Sequence, residues 1–101
     1  MTPQDFSSLP HHDAVLRSVE VLWKQKLCRF NLRAFVTCEA PATAHRLEFS
    51  GVTSLVMPHE EAWGPSSSVN SVSQTSGKFQ VEMQSGDVIE LVASHFTFIA
   101  L

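Results

Sequence analysis

The stretch from Phe79 to Ile99 constrains the fold more than any other part of the chain. Phe79, Val81 and Met83 alternate with Lys78, Gln80, Glu82 and Gln84, the period-two pattern of a strand with one face on a core. Ser85-Gly86-Asp87 follows, and glycine takes the positive φ that a tight reversal demands. From Val88 to Ile99 the chain is apolar on both parities, as expected of a strand lying centrally in its sheet. Two strands joined by a tight turn put the protein in the antiparallel β class.

The rest of the chain repeats this pattern. Between Ala14 and Trp23, Val15, Val19, Val21 and Trp23 share one parity, and the β-branched content favours a strand. Asp13 is alternatively placed to cap one helical turn through Ala14-Val15-Leu16. Lys24-Gln25-Lys26 is a polar break suited to a hairpin loop. From Leu27 to Cys38, the residues Cys28, Phe30, Leu32, Ala34, Val36 and Cys38 form one face, with Arg29, Asn31 and Arg33 on the other and Phe35 as the exception. Pro41 ends that strand, because it lacks a ladder donor. His45 to Met57 reads as a third strand or two short ones, with Gly51 marking a bulge or bend. Residues 58–76 are the longest irregular stretch, within which Val69 and Val72 suit a short edge strand.

The expected strands are therefore 15–23, 27–37, 45–56, 78–85 and 88–99, with at most one helical turn near 13–17 or 59–63. The fold class is all-β, with five to six antiparallel strands in a curved sheet, small barrel or sandwich and little helix. Residues 1–11 form a loosely ordered lead-in and 12–101 a single β domain. The expected core is Phe30, Leu32, Val36, Leu47, Phe49, Val81, Met83, Ile89 and Leu91.

A chain of 101 residues has room for one core. Its 44% hydrophobic and 17% charged residues are those of a globular protein rather than a disordered one. A net charge of −3 and a pI near 5.9 argue against nucleic acid as a partner, which calls for a basic stripe. The charge is unevenly placed, with Arg17, Lys24, Lys26, Arg29 and Arg33 early and Glu60, Glu61, Glu82, Asp87 and Glu90 late. Two solvated faces of unlike sign are the simpler reading, a steering patch the other. No apolar run reaches the roughly 18 residues of a membrane span. The first ten residues lack the basic and apolar regions of a signal peptide. Cys28 and Cys38, on one expected strand, would stand about 33 Å apart, beyond disulfide reach. Reduced thiols and a cytoplasmic location are the expectation.

Catalytic constellations are weak. His11-His12-Asp13 invites a metal reading, but adjacent side chains on an extended segment point apart, whereas metal ligands must converge. His45, His59 and His95 follow no ligand spacing. A small hydrolase or ligand-binding barrel would use His12, Asp13, His45, His59 and His95. The glycines at 51, 64, 77 and 86 are isolated, so neither a phosphate loop nor a Gly-x-Ser-x-Gly elbow exists. Cys28 and Cys38 fall on the expected core face, where thiols are inert. We expect no metal, cofactor or covalent nucleophile.

The loop His59-Glu60-Glu61-Ala62-Trp63-Gly64-Pro65-Ser66 is the leading candidate site. Loops on rigid β scaffolds commonly carry recognition, and tryptophan is enriched at interface hot spots. Equally, Trp63 is suited to plugging one end of the core, with Gly64-Pro65 turning the chain; Trp23 at a strand end poses the same choice. His12-Asp13-Ala14 before an amphipathic strand, Trp63-Gly64-Pro65-Ser66 in a loop and Met83-Gln84-Ser85-Gly86-Asp87 at a hairpin resemble small β-rich bacterial proteins of uncharacterised function. Some relatives of that style are thought to be immunity proteins, which neutralise a toxin. The resemblance spans most of residues 11–92 and implies no catalytic residue.

The expected function is that of a non-catalytic protein-binding module. Trp63 would fill a pocket on the partner while Glu60 and Glu61, beside His59, meet basic residues. A second surface, the hairpin with Lys24, Lys26, Arg29 and Arg33, would favour an acidic partner, and His12 and Asp13 are further candidates. The remaining alternative is a structural subunit whose edge strands pair into a homodimer.

Overall fold

A computed structural model describes residues 5–37 and 39–101. Among them the chain forms eight strands: β1 (Val15–Leu22), β2 (Leu27–Ala34), β3 (Thr43–Ser50), β4 (Ser54–Val56), β5 (Val69–Thr75), β6 (Lys78–Met83), β7 (Val88–Val92) and β8 (His95–Ala100). They make two antiparallel four-stranded sheets, ordered β1-β2-β3-β8 and β4-β7-β6-β5. The class is all-β, as the alternation requires. The architecture is a sandwich and not a closed barrel, and eight strands replace the expected five or six.

The count rises because two expected strands each divide between the sheets. The segment 45–56 breaks after Ser50, and 88–99 breaks after Val92. Periodicity hides these breaks, because a strand that changes sheets remains extended and keeps facing the same core. The two crossings touch. Ser94 donates its backbone N–H to the Ser50 carbonyl at 2.9 Å. Gly51 stands at φ +64, and a Cβ there would lie 2.8 Å from the Ser94 Cβ. Glycine meets both the left-handed backbone and the close approach. The apolar return strand accordingly splits into β7, internal to its sheet, and β8, an edge.

The core lies between the sheets. Phe30, Leu32, Leu47 and Phe49 from one face meet Phe79, Val81, Met83, Ile89 and Leu91 from the other, all buried. Phe49 sits at the centre, with ring centroids 5.5 Å from Phe30 and 5.0 Å from Phe79. Val36 is the exception. β2 ends at Ala34, so Val36 lies beyond the ladder and is 61% exposed. In β1, a register shift between Leu16 and Ser18 moves Leu16 onto the side of Val19 and Val21, which the simple parity count could not anticipate.

The helical turn appears in neither expected place. It is a 3-10 turn at Phe6–Ser8, capped by the Asp5 carboxylate accepting from the Ser7 N–H at 3.1 Å. Of residues 13–17, Asp13 instead lies in a turn and 15–17 belong to β1. The lead-in contributes to the core: Phe6 is fully buried, with its ring centroid 5.0 Å from Phe79 and 5.2 Å from Phe96. Cys38, expected on the core face, lies outside the described residues.

Candidate functional site

The three motifs singled out in the sequence meet at one end of the sandwich. The Gln84–Asp87 turn is the hub. Gln84 Nε2 donates to Asp13 Oδ1 at 2.6 Å, and the Gln84 backbone N–H donates to the Ser68 carbonyl at 2.8 Å. The Ser85 carbonyl accepts from the Trp63 N–H at 2.9 Å. Gly86, at φ +93, lies under the Trp63 indole; a Cβ there would come within 2.8 Å of the ring. Gly86 is therefore required twice, for its backbone and for the ring above it.

Asp87 fixes the loop before Trp63. Its two carboxylate oxygens accept the backbone N–H groups of Glu60 at 2.7 Å and Glu61 at 3.0 Å. The Ser85 hydroxyl donates to the same carboxylate at 2.7 Å. These donors, the Glu60 N–H foremost, hold the Asp87 carboxyl below its ordinary value, because each favours the ionised form. Glu61 takes a positive φ of 53, a conformation that persists where neighbouring contacts enforce it.

The loop is thus held in one shape with its side chains outward. Trp63 is 68% exposed, so it does not plug the core. His59 is exposed and faces Glu61 at 3.5 Å, and Glu60 is exposed. His12 lies 3.4 Å from Asp13 at the rim, both exposed. Between β1 and this loop runs a cleft of about 300 Å³ whose walls include Leu16, Val19, Met57, His59, Ser85 and Asp87.

The basic hairpin is weaker than its sequence suggests. Arg29 pairs with Glu48 at 3.2 Å, and Arg33 donates to the Ala42 carbonyl at 2.7 Å. Lys24 and Lys26 remain exposed at its tip beside Trp23, which is 90% exposed. His45 is buried and stacked on Phe98, centroids 4.9 Å apart. Among the described residues, no three His, Cys, Asp or Glu side chains converge as a metal site would require. Burial pushes the Cys28 thiol up to about 11, which keeps it protonated and unreactive near neutrality. No helix among the described residues is long and apolar enough to cross a membrane.

Trp63, Glu60 and Glu61 stand out in the sequence as candidates, whereas Asp87 reads there as a turn residue. Its role was not readable locally, because it is a contact across 26 or 27 positions of chain. In comparisons with family models, curated proteins and solved structures, no match to the chain was found.

The depressed Asp87 value sets a pH window. A carboxylate stabilised when ionised contributes fully above its unfolded value, 3.8, and loses that contribution as pH falls through the lower folded value. The Glu60 and Glu61 amides should therefore stay protected from hydrogen exchange from neutrality down to that value, and lose protection only in stronger acid. Loss of protection between pH 7 and 5, measured by amide NMR, would contradict this role for Asp87.

Proposed function

We propose that the protein is a non-catalytic module that binds another protein through the 59–63 loop, with Trp63 as the anchor. One observation carries the reading: a largely exposed tryptophan stands on a loop whose backbone is fixed by a buried carboxylate. An apolar side chain left in water gains free energy when a partner covers it. A loop already held in shape loses little further freedom on binding. Tryptophan is also among the residues that dominate interface energetics.

Glu60 and Glu61 flank the anchor and favour a basic partner, since complementary charge speeds encounter and rejects wrong partners. The motifs that resemble small β-rich bacterial proteins of uncharacterised function, some of whose relatives are thought to be immunity proteins, are the ones that build this site. That coincidence supports an immunity role, in which the loop occludes a basic toxin such as a nuclease. The non-catalytic reading is supported by how the ionisable groups are engaged. Asp87 is occupied by two backbone donors and a hydroxyl, and His45 is packed against Phe98.

The test is affinity capture from cell extract with immobilised protein, comparing wild type with Trp63→Ala and the Glu60→Ala/Glu61→Ala double variant. Trp63 and Glu60 are exposed and Glu61 is half-buried outside the core cluster, so both variants should fold. The partner held by wild type should be lost or much depleted with each. Retention of every partner at unchanged affinity by both variants would overturn the reading.

A further inference from the structure

We propose that the cleft between β1 and β4 accepts an extended acidic segment of another protein as an added β-strand. This groove borders the Trp63 loop at His59 but is not lined by the Trp63 side chain, and the proposal does not rest on the loop's function.

β1 and β4 are each an edge strand of their sheets, and both line the same gap. One cleft is lined by Leu16 to Val19 together with Met57 to His59, and the adjoining wider one by Val21, Leu22 and Trp23 together with Val52 to Leu55. That order sets the two segments in opposite directions along the gap, with no strand between them among the described residues. The wider part of the gap is a cleft of about 500 Å³, with Leu22, Leu27, Cys28, Val52 and Leu55 on its walls. Val21 turns toward this space and remains 51% exposed, and Trp23 stands open at its mouth.

An exposed strand edge presents N–H and C=O groups in a row, and an extended backbone is the partner that pairs with all of them at strand spacing. The β1 edge already shows this behaviour. Before the bulge it is paired from outside: Leu16 donates to the Ser67 carbonyl at 2.8 Å, and Val69 donates to the Ala14 carbonyl at 2.7 Å. Beyond Leu16 that pairing stops, and Ser18 to Leu22 pair with β2 alone among the described residues. An added strand would continue the ladder down to the hairpin tip.

Charge selects the occupant. Lys26 is the charged residue lining the wider cleft, with exposed Lys24 beside it. The carboxylate of β1, Glu20, accepts a hydrogen bond from Asn31 at 2.7 Å on the solvent face, away from the apolar walls. A segment with alternating apolar residues and a carboxylate near Lys26 fits both features. A second copy fits poorly. Antiparallel pairing of β1 on β1 about Glu20 and Val21 would set Arg17 of each copy beside Lys24 of the other.

Random dodecapeptides displayed on phage, selected against the whole protein, provide the probe. Selected peptides should alternate apolar residues and carry Asp or Glu. A synthetic copy of the strongest should slow amide exchange at residues 18–22 and 54–56. Lys26→Glu should weaken it by roughly tenfold or more, as expected for reversing a charge facing a carboxylate, and Trp63→Ala should leave it unchanged. Selected peptides that leave those amides unprotected, or that bind Lys26→Glu as tightly, would overturn the proposal. So would failure to select any peptide, or sedimentation showing a dimer of the free protein with those same amides already protected.

Discussion

Replacing Phe49 with alanine should destabilise the protein by about 3–5 kcal/mol. Phe49 is fully buried in β3 and its ring contacts the Phe6, Phe30 and Phe79 rings. These come from both sheets and from the N-terminal turn, so the void left by truncation cannot close by moving one side chain. The cost therefore includes a cavity term beside the lost transfer energy. Against a total stability of about 5–15 kcal/mol for an ordinary domain, this is a large fraction. Urea unfolding monitored by circular dichroism provides the measurement. A loss below about 1 kcal/mol would mean that the site collapses without penalty, against the packing described above.

Phe6→Ala should have an effect of the same order, about 3–5 kcal/mol, from a segment with no strand of its own. Phe6 joins Phe49, Phe79 and Phe96 at centroid distances of 5.0 to 5.9 Å. The turn that carries it is three residues long, with local hydrogen bonds to Asp5 and Leu9. Its position therefore depends on the Phe6 ring, with buried Leu9 as the second anchor. Truncation should release residues 5–9, seen as lost amide protection there, while the unfolding midpoint falls. A midpoint unchanged from wild type would show that the turn lies on the core without supporting it.

These two residues illustrate how far the sequence could be read. Phe49 was legible because it alternates with polar neighbours inside a long strand, and β2 and β6 were legible for the same reason. Phe6 was not, because a single aromatic among Pro, Ser and Gln carries no period, and only the assembled sheets create the space it fills. Val36 failed in the opposite way: the alternation continues past Ala34, but the ladder partner does not, since β3 begins at Thr43, opposite Ala34. The sheet crossings at Gly51 and Ala93-Ser94 were invisible to periodicity, although Gly51 marked the first as a bend. At the candidate site, the loop was legible from Trp63 and its carboxylates. The feature that makes it rigid was not, because Asp87 reaches it across the fold. The basic hairpin looked stronger in sequence than in space, since Glu48 and the Ala42 carbonyl answer two of its cations.

In the proposed mode of binding, a loop fixed in shape by Asp87 presents Trp63 to a protein partner. Asp87→Asn separates shape from side chain: the amide keeps one acceptor oxygen and cannot receive both the Glu60 and Glu61 N–H groups as the carboxylate does. The decisive measurement is the dissociation constant of the captured partner, by titration calorimetry, for wild type, Trp63→Ala and Asp87→Asn. Loss of a hot-spot tryptophan should weaken binding by about 30-fold or more, the equivalent of 2 kcal/mol. Asp87→Asn, with Trp63 intact, should weaken it in the same direction by loosening the loop. Unchanged affinity for both variants, in proteins shown to be folded, would contradict the account.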